Sequence, residues 1–172
     1  MRILEMALIS RANVSQMTFE EIAQHLAGLE KVNETFVKER GDVMDELLQN
    51  QLELKATEKI LEKQHSRLDR LKFFIDNEIE QREQLETASK QNPKQIILRE
   101  KLQNSRELLG RYKSEEEIIM KENFETLESV RTLNKLILAE LDEIKDLDSK
   151  IANKKKNITL LKQGQNRLKM AM

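Results

Sequence analysis

The chain has 172 residues and a formal charge of −1, with 35% charged, 38% hydrophobic and only 3% aromatic residues. This is the composition of long helices and coiled coils, and it argues against one thick, aromatic-rich core. The lack of cysteine excludes disulfides, thiolate metal sites and cysteine nucleophiles, and the near-zero charge argues against a chain devoted wholly to nucleic acid or acidic membranes.

At the amino end, "MRILEMALIS" is apolar, but Glu5 interrupts it and no small-residue cleavage site follows. It does not read as a signal peptide, and no stretch approaches the 18 or more apolar residues of a membrane span. An intracellular protein without a membrane partner is expected. Residues 2 to 10 carry Ile3, Leu4, Ala7 and Leu8 along one edge, so residues 1–17 are assigned to a short helix or arm. The "TFEEI" segment then supplies a helix start, with Thr18 as cap and Glu21 three residues on.

From Ile22 a four-three spacing of seam positions runs without a slip to Leu85, and 12 of its 19 positions are apolar. Leu47, Leu54, Leu61, Leu68 and Ile75 recur within it every seven residues. A second register runs from Leu98 to Leu168, with 14 of 21 positions apolar. Both far exceed the three or four heptads that identify a coiled coil.

Between the registers lies "LETASKQNPKQIILRE", which holds the chain's only proline. Asn92 is suited to cap a helix, Pro93 suits a first helical position, and Gln95 completes a box-like pattern with Asn92. The spacing predicts a first helix over 18–88, a hinge over 89–92 and a second helix over 93–170. A kinked continuous helix competes with a fold-back, but the cap signature and near-equal arms favour the hairpin. The expected fold is all-α: an elongated coiled coil with arms of about 100 Å, as an antiparallel helical hairpin within a multi-chain bundle.

Polar residues interrupt the seam at Asn33, Arg40, Asn50, Glu78, Arg82, Glu116, Asn123 and Lys154. Such positions lower stability but select register and partner. A symmetric parallel dimer would set each charge against its own copy, so the charges favour pairing with an unlike helix. Apolar residues off the seam, namely Phe73, Phe74, Leu136, Leu138 and Leu141, are candidates for binding a further helical chain. The expected partners are therefore other coiled-coil or helical-repeat proteins in a heteromeric assembly.

Glu115 to Asp148 contains 11 acidic residues, and no acid follows Asp148. The end beyond it is basic, through Lys150, Lys154, Lys155, Lys156, Lys162, Arg167 and Lys169. Docking onto an acidic protein partner, or simple solvation, suits this end better than nucleic acid, because no aromatic is interleaved for base stacking. His25 and His65 stand forty residues apart beside the seam, and the four glycines are too dispersed for a phosphate loop. No enzyme activity, metal or cofactor is expected.

The stretch "ESVRTLNKLILAELDEIKDLDSKIANKKKNITLLKQ" (Glu128 to Gln163) resembles the later coiled coil of the centromere protein H family, and "NPKQIILREKL" is similar to that family's proline-started helix. The resemblance implies a nuclear, inner-kinetochore subunit that pairs with centromere protein K and binds the helical-repeat protein centromere protein I. From the residues alone, two function classes stay open beside a nucleic-acid-binding helix: a subunit of a multi-chain scaffold, and a homo-oligomeric spacer, tether or secretion-apparatus stalk.

Overall fold

A computed structural model describes residues 10–172. They form three helices, α1 (Arg11–Ser15), α2 (Phe19–Gln91) and α3 (Ile96–Ala171), with no strand among the described residues. The apolar edge expected at residues 2 to 10 lies almost wholly outside them. Helix α1 is started by Ser10, whose Oγ accepts a hydrogen bond from the Asn13 N–H at 3.2 Å. Helix α2 opens on the box expected from "TFEE". Thr18 Oγ1 accepts from the Glu21 N–H at 3.3 Å, and Glu21 Oε2 accepts from the Thr18 N–H at 3.1 Å.

The break falls later than the sequence suggests. Helix α2 continues through residues 89–91, and the connection is the four-residue turn Asn92–Pro93–Lys94–Gln95, closed by the Gln95 N–H on the Asn92 carbonyl at 3.2 Å. Pro93 therefore occupies the second position of a β-turn and does not start α3, which begins at Ile96. Its fixed φ suits that turn position. The restriction a proline imposes reaches only the residue before it. Thus Asn92 leaves the helix, while the polar but unbroken "TASKQ" stays in it. Asn92 contributes its backbone carbonyl to the turn, and Arg99 donates from its guanidinium to the Pro93 carbonyl.

The hairpin divides into two compact units, one of the chain up to Gln51 with Leu136–Met172, the other Leu52–Lys135. In each, α2 and α3 run antiparallel along the predicted seam. Every position of both four-three registers is buried or half-buried. In the unit that contains the turn, Leu71, Ile75, Leu109 and Ile119 are buried, Ile119 almost completely.

In the unit that contains both ends of the hairpin, Val14, Ile22, Leu29 and Leu161 form a buried cluster, with Met17, Leu26, Ile158 and Leu168 packed against it. Helix α1 thus lays Val14 onto the two long helices. This needs a residue without a side chain opposite, since a Cβ on Gly164 would stand 2.3 Å from Val14 Cγ1. Gly164→Ala is expected to lift α1 away. The alanine gains up to about 1 kcal/mol of helix propensity, less than the roughly 1.5–3 kcal/mol lost when Val14 is exposed. Hydrogen exchange at residues 13–17 should accelerate while helix content stays constant, and unchanged exchange there would refute the packing argument.

Candidate docking surfaces

The polar seam positions find much of their bonding inside the chain. In the unit holding the chain ends, Arg40 Nε meets Asp148 Oδ1 at 2.5 Å, and Asn50 Nδ2 donates to Glu140 Oε1 at 2.5 Å. In the other unit, Gln64 donates to Thr126 at 3.0 Å and accepts from Asn123 at 3.4 Å, while buried Ser105 donates to buried Glu78 at 2.6 Å. Arg82 and Arg106 both approach Glu86, at 3.7 and 3.6 Å. Glu116 and Lys154 are half-buried in the seam. Among the described residues, Asn33 Oδ1 and Glu140 Oε2 are buried without a hydrogen-bond partner.

These contacts correct one inference. Charged seam positions were expected to be paired by a different protein. In the hairpin Arg40 and Glu78 meet Asp148 and Ser105 of the same chain. The premise holds, because a charge in a coiled-coil core does require an unlike residue opposite. An antiparallel hairpin supplies unlike residues by construction, so this premise gives no argument for a second protein.

The off-seam apolar residues are exposed, Phe73 at 68% and Leu138 at 63%, with Phe74, Leu136 and Leu141 less so. They do not make one patch. Leu138 and Leu141, three residues apart, share a helix face, whereas Leu136 lies on a different side of α3. Phe73 and Phe74 contact each other edge to face with centroids 6.0 Å apart, and Phe74 also stacks on Tyr112 of α3 at 5.9 Å and 21°. Further exposed apolar residues missed by the sequence reading are Ile60, Ile118, Met120 and Phe124 in the unit with the turn and Leu48 in the other. They were legible as apolar residues outside the four-three register.

Part of the basic end is engaged locally. Lys162 pairs with Glu30 at 3.4 Å, Lys150 with Asp146 at 3.0 Å, and the Lys150 and Lys169 ammonium groups lie 5.7 and 6.0 Å from the rings of Phe36 and Phe19. Lys155, Lys156 and Arg167 are exposed. Asn157 is buried although it falls outside the register, on the same stripe of α3 as Gly164 one heptad later.

No family, no curated protein and no solved structure matches the chain. Among the described residues, no helix is long and apolar enough to cross a membrane.

Proposed function

We propose that this chain is a non-enzymatic scaffold subunit, a coiled-coil hairpin that presents apolar helix faces to helical partner proteins in a hetero-oligomeric intracellular complex. The observation that carries the reading is the exposed Leu138 and Leu141 pair on one face of α3. Burying such residues is worth about 25 cal/mol per Å², and exposed apolar patches of this kind mark interaction sites or aggregation hazards. The likeness of residues 128–163 to the centromere protein H family makes the inner kinetochore the named instance, with a second coiled-coil subunit and a helical-repeat protein as partners.

The test is a native pull-down with the parent and with Leu138→Glu/Leu141→Glu as baits. The variant should lose its stoichiometric partners, on the order of a hundredfold in affinity for two buried leucines, while its circular-dichroism spectrum matches the parent. Equal recovery of every partner by both baits would sink the proposal.

A further inference from the structure

The unit that contains the turn carries a charge pattern the partner reading does not use. Along α2, the four-three stripe Ile60, Lys63, Arg67, Arg70, Phe74 holds three cations and no acid. Along α3, the stripe Leu108, Arg111, Glu115, Ile118, Glu122, Glu125 holds three acids and one cation. The two stripes flank the seam on the same side. Arg67 reaches Glu115 across it at 2.6 Å, and Phe74 stacks on Tyr112 on that side. Ile60 and Ile118 are about half exposed, Arg67 remains exposed although paired, and Glu115 is half-buried.

One face of this unit thus consists of a cationic helix beside an anionic helix, with apolar residues between the charges. We propose that this face binds a second copy of the chain. A twofold axis parallel to the helices sets α2 of one copy over α3 of the other at the same level. The levels follow from the contacts within one chain: Arg67 is level with Glu115, and Gln64, next to Lys63, is level with Asn123 and Thr126. Lys63, Arg67 and Arg70 of each copy then lie against Glu115, Glu122 and Glu125 of the other, and Ile60, Phe74 and Ile118 are covered between them. Each α2 then runs antiparallel to the α3 it faces in the other copy, as adjacent helices do in an up-down four-helix bundle. Placing α2 on α2 would instead oppose like charges, which gives the face one preferred mate. An unrelated basic or acidic helix would match only one of the two stripes.

The interface does not rest on the scaffold reading, and it is tested by charge exchange. Sedimentation equilibrium of the parent should give twice the 20.2 kDa chain mass. Lys63→Glu/Arg67→Glu/Arg70→Glu leaves six acids and Arg111 as the one cation on the two charged rows, and Glu115→Lys/Glu122→Lys/Glu125→Lys makes both rows wholly basic. Each variant alone should self-associate on the order of a hundredfold more weakly, with helix content retained. An equimolar mixture of the two should recover the dimer mass. If a triple variant loses helicity, the chain with all six exchanged decides, since it restores both the pairing within the hairpin and the complementarity between copies, and it must dimerise. A monomeric parent, triple variants that associate like the parent, or a six-fold exchange that stays monomeric would overturn the inference. Leu138→Glu/Leu141→Glu should leave the dimer intact, so loss of the dimer and loss of the heteromeric partner are separate results.

Discussion

Replacing both Asn50 and Glu140 with leucine is expected to raise the midpoint of urea unfolding, whereas Asn50→Leu alone lowers it. Glu140 is only 7% exposed, and among the described residues its one side-chain hydrogen bond comes from Asn50, with the second carboxyl oxygen unpartnered. Leaving a buried polar group without its partner costs about 1–3 kcal/mol. One half-buried leucine at position 50 only partly offsets that, so the single variant should lose on the order of 1 kcal/mol. Removing both polar groups eliminates the penalty and adds two apolar side chains to the seam, for a gain of about 1–3 kcal/mol. Circular dichroism at 222 nm followed through urea measures both. The double variant should also tolerate shifted registers, because a polar core layer selects alignment at the expense of stability. Additive losses in the single and double variants would show that the pair does not act as a unit.

Leu161→Ala is expected to cost about 2–5 kcal/mol, the range for emptying a buried leucine site. Leu161 is fully buried, and it shares a cluster with Val14, Ile22 and Leu29, drawn from all three helices. The shortened side chain leaves a cavity under α1 as well as in the seam, so α1 should show faster hydrogen exchange than in the parent. Leu138→Ala serves as the control in the same unit. At 63% exposure it removes little buried area and should shift stability by less than about 0.5 kcal/mol in the unbound chain. Comparable losses from the two substitutions would contradict the assigned packing.

Much of this fold is legible in the residues. The two four-three registers pick out a seam in which no position is exposed, because side-chain period is a local property of a helix and survives whatever packs against it. The start of α2 is equally local, since Thr18 and Glu21 bond each other's backbone within one turn. The exact end of α2 was harder to read. A proline excludes the helix at its own turn, yet nothing in residues 89–91 decides whether the helix reaches it.

Of the candidate site, the sequence showed which residues are apolar or charged off the seam, but not which of them share a face. Phe74 turns toward Tyr112 while Phe73 points outward, and Leu136 separates from Leu138 and Leu141; these follow from helix geometry and from what lies across the seam.

By itself, the sequence determined the all-α class, the seam positions and the place of the only proline. The tertiary structure alone decided what faces the seam. Asn50 meets Glu140 across 90 residues and Arg40 meets Asp148 across 108. A heptad period specifies that a polar residue points inward and carries no record of whether its partner belongs to the same chain. The buried Asn157 and the bare backbone at Gly164 are of the same kind. The close approach at Gly164 is imposed by Val14 of α1, a contact between segments some 150 residues apart that no local pattern encodes.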